Sequence, residues 1–375
     1  MNFELSTEQQ LLRDSVARFV QDNYELENRL KLVATKLGFS EALWQKMAEL
    51  GWLALPFTEA DGGFGGDQID TMVIMEQFGK GLVLEPFFAN VVLGGGIVKR
   101  TASSKQKALL LPGLLDGSRQ LTLGYAEEQA RFDLHDVTTT ARVQGDAFII
   151  NGHKSMVANA ATASQLIISA RTGGGQIDEN GISLFIVDAD AEGVSLENFP
   201  TVDGLRASEV TLKDVKVTSE NLLGELDNGF AILNAVSNDA ILALSAEAVG
   251  AMEVLYKDTV EYTQEREQFG HPLADFQVLQ HRMVEMFMEY EQCKSLLYRA
   301  TLEVAQGNSA TAQRTVHALK HLIGKTAIFI GENAVQLHGG MGMTEELRIG
   351  HYFKRLLVID AQFGNADFHL QKFAA

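Results

Sequence analysis

The chain has 375 residues, 31 basic against 49 acidic side chains for a net charge of −18, 46% apolar residues and a single cysteine. That balance argues against a surface built to neutralise nucleic-acid phosphates or anionic lipid headgroups, since both draw affinity from clustered Lys and Arg. One cysteine excludes an intramolecular disulfide framework and a Cys-cluster metal site, which suits a reducing compartment.

No stretch reads as the roughly 18 to 20 apolar residues that span a bilayer, and Met1 to Arg18 lacks the basic start and apolar run of a signal peptide. A cytoplasmic protein of two or three domains is expected. Ser6 followed by Gln9 forms a capping box, after which Leu11, Leu12, Val16, Phe19 and Val20 mark one helical face. A second helix through Ala42, Leu43, Met47 and Leu50 ends at Gly51, and the turn-rich Asp61 to Gly66 leads into helical spacing at Met72, Met75, Phe78 and Gly79.

From Leu121 to about Leu223 the pattern changes to short β-rich runs at 121–123, 148–150, 166–168, 183–187 and 210–217, separated by turns such as Asn151-Gly152 and Asn180-Gly181. Strands without intervening helices predict an antiparallel barrel or sandwich. Three long helical stretches follow, near 230–264, 275–306 and 309–337. The expected organisation is α+β: an N-terminal helical domain (1–117), a middle antiparallel β-barrel (118–223) and a C-terminal four-helix bundle (224–375).

Two segments carry most of the chemistry. Arg266-Glu267-Gln268-Phe269-Gly270 with Phe276-Gln277 joins two long helices, and Gln336-Leu337-His338-Gly339-Gly340-Met341-Gly342 closes the third. A planar guanidinium suits a diphosphate, and close-set glycines let backbone N–H groups approach a cofactor. Singly, each also reads as a salt-bridged helix end or a C-cap.

Together, with this domain order, they resemble the acyl-CoA dehydrogenase family. The resemblance runs along the whole chain, through Pro56 and the Gly62 to Gly66 loop, Asn151-Gly152-His153-Lys154, Phe185-Ile186-Val187, Gly204-Leu205-Arg206 and Val217 to Gly224. It implies the three-domain fold above, a tetramer and FAD, with Arg266, Phe269, Gln277, Gln336, Gly339 and Gly340 reaching the adenosine diphosphate half of a neighbouring subunit's flavin. Arg131 to Val137, Ala246 to Met252 and Gly350 to Arg355 are most similar to small subunits of two-component enzymes of the pimeloyl-CoA dehydrogenase type. That implies a larger paralogous partner subunit, an acyl-CoA substrate and an electron-transfer flavoprotein as acceptor.

The chemistry so implied is α,β-desaturation of a CoA thioester, in which a desolvated carboxylate removes the α proton. Here the sequence departs from the pattern. Phe363, before Gly364, occupies the usual position of the Glu, and Phe cannot abstract a proton. A minority of members carry that Glu on the first bundle helix, at a spacing that falls on Ala240, with Asp239 one residue earlier. Asp239 is therefore the candidate base, although one residue rotates a helical side chain by about 100°; the competing reading is a solvated or first-turn acid.

The middle domain departs too. After Gly124-Tyr125-Ala126, where members have Thr-Glu and then Gly-Ser-Asp, this chain reads Glu127 to Asp133; the usual Trp-Ile-Thr or Trp-Ile-Ser becomes Met156-Val157-Ala158. The hydroxyls and indole at the flavin edge are missing, whereas the segments that serve the neighbour's flavin are intact. A self-sufficient enzyme using Asp239 and a non-catalytic structural paralogue are the rival readings.

Other groups weigh little. His317 and His321, four apart, have metal-ligand spacing, but Lys320 suggests a solvated face and no metal is expected. Met283, Met286 and Met288 read as bundle core, as does Cys293, and Glu247 reads as structural.

Overall fold

The computed structural model describes residues 4–307 and 309–375. The N-terminal part holds helices α1 (Thr7–Asn23), α2 (Leu26–Val33), α3 (Glu41–Glu49), α4 (Gln68–Gly81), α5 (Gly96–Thr101) and α6 (Ser104–Leu115). The expected capping box is present on α1: Ser6 Oγ accepts from the Gln9 N–H at 3.2 Å, and the Gln9 side chain accepts from the Ser6 N–H at 3.0 Å. A π-helical segment at Phe88–Gly95, directly ahead of α5, has no counterpart in the sequence reading.

Eight strands follow: β1 (Leu121–Gly124), β2 (Thr140–Gln144), β3 (Ala147–Ala158), β4 (Gln165–Arg171), β5 (Ile182–Asp188), β6 (Val194–Pro200), β7 (Arg206–Thr218) and β8 (Leu222–Leu223). They form one sheet in the order β6-β7-β3-β2-β4-β5-β8, with β1 on β4. The expectation of a purely antiparallel sheet needs correction, because β1 pairs with β4 in parallel and β2 touches β4 in parallel at Thr140–Arg171. A parallel neighbour needs a long crossover, and the β2–β3 hairpin lies within the connection from β1 to β4. Ile150, Val157, Leu166, Ile168, Phe185, Val210 and Val215 form its core.

The C-terminal part comprises α7 (Gly229–Glu265), a hairpin of β9 (Glu267–Gln268) and β10 (His271–Pro272), α8 (Gln277–Ala305), α9 (Ala310–His338), α10 (Arg348–Ala361) and α11 (Ala366–Ala374). The three long helices fall where periodicity placed them. Against expectation, α7 is long and apolar enough by composition to cross a membrane, but 67% of its apolar window is buried within the protein.

By packing the chain divides into two compact units that do not follow chain order. One gathers the residues up to Lys31, Asp67–Val83 and Ile241–Ala375; its core includes Met286, Tyr290, Cys293 and Leu297 of α8 and Val316, Leu319, Ile323 and Ile330 of α9, at helical spacing. The other gathers Leu32–Gly66 and Leu84–Ala240 around the sheet. Met283 and Met286 are core as expected, whereas Met288 is 55% exposed.

Candidate functional site

The end of α7, the start of α8 and the end of α9 lie at one end of the bundle, because successive antiparallel helices return the chain there. Tyr262 and His338 fasten them: their rings stack at 4.2 Å between centroids, and His338 Nδ1 donates to the Ala334 carbonyl at 2.8 Å. Arg266 follows α7 directly, its backbone bonded to Tyr262 and Leu273, and the β9–β10 hairpin turns through Phe269 and Gly270, both at positive φ (57° and 84°). This is the two-residue turn whose twist matches the flanking strands. It leaves Phe269 90% exposed, with its ring edge-on to Phe276.

Gln277 opens α8 and Gln336 lies in the last turn of α9, both exposed. Gly339 has φ 59° and ψ −140°, a conformation essentially closed to side-chain-bearing residues. A Cβ on Gly339 or Gly340 would meet nothing within 4 Å, so this backbone faces open space. Arg266 is exposed and has no ion-pair partner among the described residues. All six residues predicted for a dinucleotide thus lie at one end of the bundle, and an unpaired guanidinium beside open backbone fits a diphosphate.

Phe363 lies in the turn between α10 and α11 at φ 55°, 9% exposed. The turn is clamped from α9 by Lys320, whose Nζ donates to the carbonyls of Ile359 (2.9 Å), Asp360 (2.8 Å) and Gly364 (2.7 Å). Lys320 is wholly buried, which corrects the expectation of a solvated face, and burial pushes its ammonium down to about 8. His369 Nε2 donates to the Phe363 carbonyl at 2.9 Å, which leaves its Nδ1 to accept from His317 Nδ1 at 2.9 Å. His321 donates to the Ala366 carbonyl. The two histidines with metal-ligand spacing therefore serve the tail, and no cluster of three metal-ligating side chains occurs among the described residues.

Asp239 lies ten residues into α7, so it is not a first-turn acid. Its Oδ2 is 2.5 Å from Arg100 Nη2 of α5, and both side chains are partly covered. Its carboxylate is thus spent on an ion pair with a neighbouring helix. Glu247 is structural as expected, joined in a buried fork to Arg355 at 2.6 and 2.7 Å.

In the sheet unit, Glu127 and Lys154 form an ion pair missed by the sequence reading, although both lie in segments it singled out. Lys154 Nζ is 2.7 Å from Glu127 Oε1 and 3.0 Å from Ser169 Oγ, and Glu127 also accepts the N–H groups of Thr138 (2.8 Å) and Thr139 (3.1 Å). Burial raises the Glu127 carboxyl, but Lys154 and the hydrogen bonds outweigh it and hold it down at about 2. The pair fixes two neighbouring segments, which touch where the Ser155 N–H donates to the Ala126 carbonyl at 2.9 Å. Met156, where the resemblance places an indole, has φ 55° and is 55% exposed. Backbone geometry is therefore braced where the hydroxyl and aromatic side chains are absent.

Comparison with known proteins accounts for nearly the whole chain. The N-terminal, middle and C-terminal domains of acyl-CoA dehydrogenases match residues 6–118, 122–215 and 227–375. The probable acyl-CoA dehydrogenase YngJ of Bacillus subtilis (strain 168) is 30% identical over 372 residues, covering 98% of this chain and 97% of the relative. Among solved structures, a variant of the Tcur3481-Tcur3483 steroid ACAD is similar with a TM-score of 0.87 at 28% identity, over 98% of this chain and 96% of that one. The FAD complex of PigA gives a TM-score of 0.92 at 27% identity, over 100% and 98%.

Proposed function

Because the chain belongs to the acyl-CoA dehydrogenase family of FAD-dependent oxidoreductases, we propose that it is one subunit of a two-component enzyme of the pimeloyl-CoA dehydrogenase type, completing a larger partner subunit's FAD site. The observation that carries this reading is an asymmetry. The motif end of the bundle keeps every predicted side chain exposed and unspent, whereas the chain's own position for a base holds Phe363 and the alternative, Asp239, is engaged by Arg100. That a similar structure, the Tcur3481-Tcur3483 steroid ACAD, carries two protein names supports a paired arrangement.

Flavin supplies the hydride acceptor for desaturation of a CoA thioester when bound. In this reading Arg266 takes a diphosphate charge, Gln277 and Gln336 supply amide donors, and Gly339 and Gly340 let the backbone come close. The partner supplies the carboxylate that removes the α proton, and an electron-transfer flavoprotein takes the electrons onward. The substrate is a dicarboxylate, branched or steroid side-chain thioester, and the compartment is the cytoplasm.

The test is to purify the chain alone and together with the larger paralogue encoded beside it, and to measure flavin content and bleaching by acyl-CoA thioesters. Flavin retained and bleached only in the complex is the expected result. Stoichiometric FAD that an acyl-CoA reduces in the isolated chain would overturn the proposal and favour a self-sufficient enzyme.

A further inference from the structure

Strands β2, β3 and β7 bring three residues into one row across the sheet: Arg142 pairs with Ile149, and Ile149 with Lys216. The adjoining row, Ala141, Ile150 and Val215, lies in the core. Successive side chains of a strand point to opposite faces, so Arg142, Ile149 and Lys216 face outward, in the pattern cation, apolar, cation. All three line an open groove of about 1070 Å³, whose other walls include the turn before β6 and Lys213. Ile149 and Met156 stand towards opposite ends of β3, so the groove is separate from the segment where the resemblance places the flavin edge.

Backbone and amide contacts, not the charges, hold the groove in shape. The Lys213 N–H donates to the Gly193 carbonyl at 2.9 Å, and a bulge interrupts the β3–β7 pairing between Lys213 and Lys216. There Asp214 takes φ 52°, its N–H donating to Asn151 Oδ1 at 2.9 Å and its carboxylate accepting from Asn151 Nδ2 at 3.0 Å. Such bulges re-aim the side chains beside them. Arg142, Lys213 and Lys216 are exposed and make no ion pair among the described residues, whereas Arg100, Lys105, Lys107 and Lys154 of the same unit each meet a carboxylate. The lining sets these three cations against two carboxylates, Glu192 and Asp214, in a chain of net charge −18.

We propose that this groove docks an extended acidic segment of a partner protein, with carboxylates on Arg142 and Lys216 and an apolar side chain between them on Ile149. Neighbouring strands are about 4.8 Å apart, which sets the Arg142 and Lys216 backbones about 10 Å from each other. Donors that grip a single phosphate converge on it. These are parted by an apolar side chain and suit charges spaced along a chain. In an extended segment alternate side chains face the same way about 6.8 Å apart, and the long arms of Arg and Lys take up the difference in spacing. Val143, 70% exposed at the groove, adds apolar surface. Because the chain as a whole repels acidic proteins, a partner gains only where it reaches these cations, and that favours one docking site over general adhesion.

The probe is a fluorescein-labelled synthetic peptide carrying glutamate, valine and glutamate at alternate positions with serine between them, titrated into the full chain at low salt and followed by anisotropy. Saturable binding that weakens as salt rises is expected. The double variant Arg142→Ser with Lys216→Ser should bind about tenfold more weakly, on the scale of two exposed ion pairs, and Ile149→Thr should weaken binding by itself. The two cations are exposed, so unchanged melting curves for the double variant will separate lost docking from lost folding. An isomeric peptide with valine moved to a serine position should bind less well than the probe. No saturable binding, equal binding by the double variant, or equal binding of the isomer would overturn the proposal. So would inorganic tripolyphosphate that displaces the peptide at equal charge, because the cations would then be gathered on a small anion.

Discussion

The ammonium of Lys320 and the carbonyl of Gly364 meet at 2.7 Å inside the bundle, and that contact, with those to Ile359 and Asp360, ties the α10–α11 turn to α9. Among the described residues no carboxylate hydrogen-bonds to Lys320; three carbonyls hold its ammonium, and the Asp360 charge favours it from nearby. Replacing it with Met should strand three buried acceptors at about 1 to 3 kcal/mol each, for a total loss of about 3 kcal/mol or more. Chemical denaturation of Lys320→Met checks this, and a loss under about 1 kcal/mol would show that water replaces the ammonium.

His369 supplies the second clamp, and its pH dependence has a defined sign. Burial, reinforced by Lys320, His317 and Lys372, holds its imidazole down at about 3 against the hydrogen bond to Phe363. The unfolded chain takes up this proton near pH 6.5, so between about 6.5 and 3 the unfolded state binds more protons than the folded state. The stabilisation is therefore complete above pH 6.5 and is lost as the pH falls towards 3. His369→Gln keeps a donor for Phe363 and cannot titrate, so the stability gap between wild type and variant should narrow from pH 7 to pH 5. A gap that stays constant would exclude His369 as the titrating group.

Why these clamps escaped the sequence reading is a matter of range. Lys320 sits between His317 and His321 on a helix, and a lysine in a periodic pattern normally marks the solvated side; its burial depends on carbonyls of a turn 39 to 44 residues away. Glu127 and Lys154 were each in view, but nothing local says that a carboxylate after β1 meets an ammonium on β3. By contrast, the long helices were legible from the 3.6-residue spacing of Met286, Tyr290, Cys293 and Leu297, and the motif end from residue types whose role is local, such as Gly339 at its positive φ. Strands β2 and β6 were missed because only one residue of β2 and none of β6 is buried, and the parallel β1–β4 pairing because strand order is not written in either strand.

Glu247 and Arg355 supply a buried fork whose value depends on both partners being present. Glu247→Ala removes both hydrogen bonds of the fork from a buried guanidinium, and should destabilise the protein by about 3 to 5 kcal/mol. Replacing both, as Glu247→Leu with Arg355→Met, should recover most of that loss, since an ion pair returns little beyond its own desolvation cost. Thermal melts of the three proteins test the point; a double variant no more stable than Glu247→Ala would mean that the fork does more than neutralise itself.

Asp239 gives the sharpest division between the proposed partner role and a self-sufficient enzyme. If Asp239 were the base, Asp239→Asn would remove about 10² to 10⁴ in rate at unchanged flavin content, because general-base catalysis contributes on that scale. Its contact with Arg100 predicts otherwise. The carboxylate holds a cation on α5, and Asn keeps an oxygen that can accept from it, so the complex should retain its turnover within about threefold. Asp239→Ala, which removes that acceptor, should lower the melting temperature with turnover per folded complex similarly preserved. Steady-state rates of the complex, set beside its melting curve for each variant, separate the two roles: a large rate loss in Asp239→Asn at wild-type stability would return the base to this chain and end the proposal that the partner supplies it.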